Sequence, residues 1–340
     1  MNVKNLRLSL FFLPIVILAI TFHGIVHASW EWQNPLPNGN GLNSVWGSSN
    51  IDVFAVGWGG TILHYDGSSW SEMTSGATEE LWGVWGSSGD DVFAVGESGL
   101  ILHYNGSSWI EMSSGTTEWL ERVWGSSGNN VYAVGSNGII LHYDGSSWSA
   151  MTSGTPWHLE GIWGSSGSDI YAVGSNGTIL HYDGSSWSEM ASGTTEILQD
   201  VWGSSGNDIF AVGFYGTILH YDGSGWSEMA SGTTSHLNAV WGSSATNILA
   251  SGYGNTILHY DGSNWNEMSH GMIHASFDIW GSADTDVFFV GKSADTILHY
   301  DGTNWDAMIN GPTDRFQSVW GNSLSDVFAV GVSNYPQGES

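Results

Sequence analysis

Seven histidines recur in the setting Ile-Leu-His-Tyr: His64, His103, His142, His181, His220, His259 and His299. Imidazole is a common metal ligand and general base, so a row of seven raises a metal site first. The spacing argues against one. Ligands of a single ion lie within about 2–2.5 Å of it. Each histidine falls on the third strand of a repeated unit, two strands from any shared axis at about 4.8 Å per strand. A hydrogen bond inside its own unit is the expected role, with no metal and no other cofactor.

The acids point the same way. Asp52, Asp91, Asp169, Asp208, Asp286 and Asp326 each precede a Val/Ile-rich strand and are expected to cap turn amides. Calcium needs six to eight oxygens, and no Asp-x-Asp-x-Asp-Gly loop supplies them; Asp284 and Asp286 are the nearest pair. No Gly-x-Ser-x-Gly elbow joins a strand to a helix, and no phosphate-binding loop occurs. No catalytic constellation assembles from sequence.

The elements that position these residues are set by a period. Trp46, Trp85, Trp124, Trp163, Trp202, Trp241, Trp280 and Trp320 each stand in Val/Ile-Trp-Gly, six intervals being 39 residues and the last 40. One unit, residues 159–197, contains four short blocks of β-branched, aromatic or small apolar residues, separated by Gly, Ser, Asn and Asp. These are read as strands a to d. Asp-Gly at Asp66, Asp144, Asp183, Asp222, Asp261 and Asp301, with Asn105-Gly, is the hairpin signal between c and d. Four strands in about 39 residues make one blade of an all-β propeller. Seven units run from Leu42 to Arg315, followed by an a and a b strand (317–320 and 326–331) and preceded by a lone d-like stretch, Ser29 to Gln33. Closure by both chain ends gives eight blades, seven complete and one composite; seven blades is the alternative.

Blocks such as Asp52-Val-Phe-Ala-Val-Gly57 followed by Thr61-Ile-Leu-His-Tyr-Asp-Gly-Ser-Ser-Trp70 resemble the secreted bacterial propellers of the BNR/Asp-box kind, and more closely the Ycf48/Hcf136-like propellers of photosystem II assembly. The resemblance covers nearly all of residues 29–340. The Asp-box spaces its Asp and Trp one residue further apart than this chain does. Sialidase activity does not carry over, because that family sets an arginine cluster on its substrate carboxylate. Photosystem function does not carry over either.

Composition narrows the partner. Lys4 and Arg7 precede an apolar run from Leu8 to Phe22 and a small-residue site at Val26-His27-Ala28, which reads as an export signal over residues 1–28. The run is shorter than the roughly 20 residues that span a bilayer. A single domain over 29–340 is expected outside the cytoplasm, as a monomer and with no membrane association once the leader is cut. The whole chain carries a formal charge of −28, and removal of the leader leaves Arg122, Lys292 and Arg315 against 33 acids. Such a surface repels phosphate backbones, so nucleic acid is excluded as a partner. Cysteine is absent, so no disulfide contributes.

The repeats can be compared within the chain. The a–b and c–d turns barely vary, whereas the b–c and d–a loops differ from unit to unit. Fold chemistry is needed in every blade; a binding surface can differ among blades. Any site is therefore placed on the b–c/d–a face near the channel mouth. The b–c loops hold Trp58, Glu97, Phe214, Tyr215, Tyr253 and Lys292, and the d–a segments hold Trp82, Trp119, Arg122, Trp157, His158, His236, His270, His274 and Arg315. From these, Trp58, Trp82, Trp119, Arg122, Trp157, Phe214, Tyr215, Tyr253 and Lys292 form the candidate ligand-binding set, for a glycan or a protein. The d-strand tryptophans (Trp70, Trp109, Trp148, Trp187, Trp226, Trp265, Trp305) and the methionines that follow them are read as core. The expected function is a secreted binding or scaffold module. The alternative is a polysaccharide-active enzyme using acids at the channel mouth: Glu97, Glu121, Glu160, Asp200 or Asp278.

Overall fold

In the computed structural model, which describes residues 41–270, 275–292, 296–309, 315–323 and 326–332, every 39-residue unit folds as read. Blade 4 shows the pattern. Strand a is Leu159–Ser166, b is Asp169–Gly174, c is Ile179–Tyr182 and d is Trp187–Glu189, joined antiparallel in the order a-b-c-d. The c–d turn closes at Gly184 with φ +88°, a left-handed value that a Cβ would oppose. Asp183 stabilises it by accepting from the Ser185 and Ser186 amides, both at 2.9 Å.

Among the described residues seven such four-stranded blades are present: Leu42–Met73, Leu81–Glu111, Leu120–Met151, Leu159–Glu189, Leu198–Glu228, Leu237–Glu267 and Ala275–Ile309. The alternative count is therefore the one observed. The strands Arg315–Ser323 and Asp326–Val332 form a separate two-stranded hairpin. It packs between blade 7 and blade 1, so the ring closes through it. The d-like stretch Ser29 to Gln33, expected to complete an eighth blade, lies outside the described residues.

One lock repeats around the circle. The indole of each strand-a Trp lies on the Gly that follows the strand-a Trp of the next blade. A Cβ built on Gly86, Gly125, Gly203, Gly242, Gly281 or Gly321 would stand 2.6–2.7 Å from the ring of Trp46, Trp85, Trp163, Trp202, Trp241 or Trp280. Trp320 of the hairpin does the same to Gly47 of blade 1, which joins the two ends. Val/Ile-Trp-Gly thus encodes contact between neighbours: a flat apolar plate and a position with no side chain to obstruct it. The d-strand Trp adds a second link, since Trp109, Trp187 and Trp226 donate Nε1–H to the sulfur of Met73, Met151 and Met190 in the preceding blade at 3.3–3.4 Å. The d-strand Trp and the Met belong to the inter-blade core, as read, and the strand-a Trp packs against it.

Candidate functional site

The repeated histidines and aspartates are occupied inside each blade. His64 Nε2 donates to Asp52 Oδ1 at 2.7 Å, while Ser48 Oγ donates to Asp52 Oδ2. The same chain runs through Ser87–Asp91–His103, Ser165–Asp169–His181 and Ser204–Asp208–His220. These strand-b aspartates take a hydroxyl and an imidazole rather than turn amides, contrary to the expectation; the amide caps are the c–d aspartates such as Asp66 and Asp183. Where Asn130 or Asn247 replaces the acid, the imidazole still donates to the side-chain oxygen, and the amide donates to Ser126 or Ser243. In those two blades burial pushes His142 and His259 below the ordinary imidazole value. The serine bonds the acid and not the imidazole, so this is no nucleophile–base pair. An aromatic of strand b covers the imidazole in six blades, as Phe54 does His64 at 4.5 Å between centroids; in blade 6 Leu249 stands across from His259.

The opposite face is assembled differently. The b–c loop of blades 1 to 5 is one 3₁₀ turn, and in blades 1 to 6 its first N–H donates to the carbonyl of the residue just before strand a: Trp58 to Gly41, Glu97 to Glu80, Ser136 to Trp119, Ser175 to His158, Phe214 to Ile197 and Tyr253 to His236, all at 2.9 Å. A sequence-independent bond therefore fixes the two most variable positions of blades 1 to 6 side by side. This is why the scaffold can exchange their side chains without moving them.

Five candidate aromatics emerge on this face well exposed: Tyr215 at 61%, Trp119 at 48%, Trp157 at 45%, Trp58 at 44% and Tyr253 at 42%. Phe214 is half-buried beside them. Trp82 and Arg122, read as loop residues, lie instead on strand a of blades 2 and 3, inside the channel wall. Trp82 is half-buried, and its indole Nε1 is enclosed with no hydrogen-bond partner. Lys292 ends strand b of blade 7. Its side chain, that of Arg315, and His274 lie outside the described residues.

Two groupings form. Phe214, Tyr215 and Tyr253 gather around His236, with ring centroids 4.1, 4.9 and 5.9 Å from the imidazole. The Tyr215 amide donates to His236 Nδ1 at 3.2 Å. Trp58, Trp119 and Trp157 sit on other blades. The second grouping is acidic, at the channel mouth of blades 1 to 4. His158 Nε2 stands 3.5 Å from Glu121 Oε1 and 3.8 Å from Glu160 Oε2. Burial raises the Glu121 carboxyl, opposed by Arg122 and His158. Glu80 is also raised, first by burial, although it accepts from Asn43 Nδ2 at 2.9 Å and from the Trp58 side chain. Glu97 adds like charge to both.

Arg122, Asp200 and Asp278 share one level of the channel, each paired in register with the Val of the strand-b Val-Gly: Val134, Val212 and Val290. The two acids are staples. Asp200 accepts from the amides of Val201 and, across the blade boundary, Val240, both at 2.9 Å. Asp278 accepts from Ile279 in its own blade and from Val319 and Ser318 Oγ of the closing hairpin, all at 2.9 Å. Burial lifts Asp200 to about 6, with Asp278 adding to the rise and Arg122 opposing it; Asp278 is raised for the same first reason. Oxygens engaged in this way serve the ring.

Neither His236 nor Glu80 was placed in the binding set from sequence. The signal was the variability of the position before strand a, which reads Glu80, Trp119, His158, Ile197 and His236.

No protein-family model matches the chain, and no curated protein matches it in sequence. Solved structures match in shape. YCF48 bound to a D1 peptide superposes with TM-score 0.59 at 15% identity over 81% of this chain and 94% of that one. The fold is a β-propeller. YCF48 from Cyanidioschyzon merolae gives TM-score 0.59 at 17% identity over 80% and 96%, and Sqt1 of Chaetomium thermophilum gives 0.72 at 13% over 87% and 94%. Identities this low establish the propeller architecture and nothing finer.

Proposed function

We propose that this propeller is an exported binding scaffold that holds a segment of a partner protein on its b–c/d–a face. The observation that carries the reading is the collection of exposed aromatics on turns clamped to strand a, each in a different blade and each absent from the corresponding turn of most others. Flat apolar faces held rigidly cost little entropy on association. The charge of −28 selects a partner with basic residues. Support for a peptide over a glycan comes from the like-folded YCF48, whose structure carries a D1 peptide. Export is inferred from the leader-like residues 1–28 alone.

The enzyme reading loses two of its acids to structure, since Asp200 and Asp278 join neighbouring blades. The test is to present the purified chain, cut after Ala28, to a peptide array and to a glycan array. Retention on basic, aromatic-containing peptides is expected, with loss on combined alanine substitution of Trp58, Tyr215 and Tyr253. Retention on glycans with none on peptides, or peptide binding indifferent to the triple variant, overturns it.

A further inference from the structure

The b–c turn of blade 5 departs from its counterparts. Its second residue adopts a left-handed backbone, and blades 1 to 4 and 6 place Gly59, Ser98, Asn137, Asn176 and Gly254 there. Blade 5 places Tyr215 there, at φ +55°. A bulky residue at positive φ is an outlier, because its Cβ crowds the backbone. Such strain persists where surrounding structure over-determines it, and here the surroundings do so: the Tyr215 amide is held by His236 Nδ1 at 3.2 Å and its ring packs against the same imidazole. The side chain is nonetheless the most exposed of the large hydrophobics, at 61%.

Tyr215 and Gly216 line a cleft of about 540 Å³ together with the segment from Glu228 to Thr234. Ser231 and Thr233 are occupied with each other: Ser231 Oγ donates to the Thr233 carbonyl at 3.2 Å. The Glu228 carboxylate is exposed, with no hydrogen bond or ion pair within the described chain. The corresponding positions of blade 4 are Asn176 and Glu189. The tyrosine therefore brings an aromatic side chain to a cleft that a carboxylate also lines.

Resting on the binding-scaffold reading, we propose that this cleft receives an arginine side chain of the partner segment. The guanidinium lies against the Tyr215 ring, and its N–H groups donate to Glu228. A planar cation is attracted by the ring quadrupole and matches a carboxylate in a two-pronged bond. The charge of the whole molecule concentrates such cations around it.

The experiment titrates the leaderless protein with a short Gly/Ser peptide carrying one arginine, and with the same peptide carrying citrulline, following tyrosine ring resonances by NMR. Citrulline keeps the shape and removes the charge. Saturable shifts of the Tyr215 ring are expected with arginine, and binding about tenfold weaker with citrulline. Tyr215→Asn, which installs the residue blade 4 uses at this turn and leaves the charge unaltered, is expected to weaken arginine binding to the same extent. Glu228→Gln is expected to weaken it several-fold. Equal binding of the two peptides, or unchanged binding by Tyr215→Asn, overturns the proposal. Peptide binding that depends on Trp58 and Tyr253 but not on Tyr215 leaves the scaffold reading intact while removing this one.

Discussion

The two faces of the ring use the same strands for opposite ends. On the a–b/c–d face, the blades repeat Ser–Asp/Asn–His and an Asp/Asn-Gly turn with nearly identical geometry, and the polar groups satisfy one another. On the b–c/d–a face only a backbone bond repeats, and the side chains above it range from Ser136 to Trp58. The difference separates two requirements. Stability needs the same solution in every sector, because a weak sector opens the ring. Recognition needs sectors that differ, and it tolerates strain such as that at Tyr215 because neighbours absorb it.

Substitutions on the two faces should therefore differ in what they damage. The largest effect is expected between blades. Gly125→Val puts a branched side chain where even a Cβ stands 2.6 Å from the Trp85 ring, and a loss of at least about 3 kcal/mol is expected by denaturant unfolding. Next comes the invariant face. Asp208→Ala strands both Ser204 and His220, at a cost of about 2 kcal/mol. If either variant unfolds like the native chain, the lock or the Ser–Asp–His chain does not hold the ring.

A channel acid gives a pH signature. Burial raises Asp200 from an ordinary 3.8 to about 6, so the folded state holds that proton more tightly than the unfolded chain. Its contribution is then fully present below about pH 4 and is lost as pH rises through about 6, by at most about 3 kcal/mol. Unfolding titrations at pH 4.5 and 7.5 check the sign: native stability minus that of Asp200→Asn should be smaller at the higher pH, and a larger difference there refutes the assignment. His142 and His259 act oppositely. Their values are lowered, so their contribution is lost as pH falls below the ordinary imidazole value. The smallest effects belong to the variable face. Trp119→Ala with Trp157→Ala should shift stability by no more than about 0.5 kcal/mol. Tyr215→Asn should be stabilising, by up to about 1 kcal/mol, through release of left-handed strain. Calorimetry showing Tyr215→Asn strongly destabilised would make that residue part of the frame, and the contrast between the faces would fail at blade 5.

How much could be read beforehand follows from range. Strand a of blade 4 and the Asp183-Gly184 turn are local facts, carried by apolar pattern and φ preference, and both were legible. The intrablade role of His181 was legible too, because the period placed every copy at the same remove from the axis. The partner of Asp169 was misread, since a turn amide and a histidine on strand c compete for the same oxygen and only the blade's curvature decides between them. Trp82 and Arg122 were assigned to loops because the bulge that starts strand a hides its first residues from the apolar alternation.

Sequence alone determined the unit, its four strands, its turn chemistry and which of its positions vary, since each depends on contacts within about 39 residues and on a period visible in one dimension. Tertiary structure decided the rest. It set seven complete blades with a two-stranded closure, the pairing of each Trp with the next Gly, the use of Asp200 and Asp278 as staples, and the meeting of Tyr215, His236 and Tyr253 across a blade boundary. These depend on how many units fit round an axis and on the angle between neighbours. Both are properties of packed surfaces, which a repeat pattern leaves open.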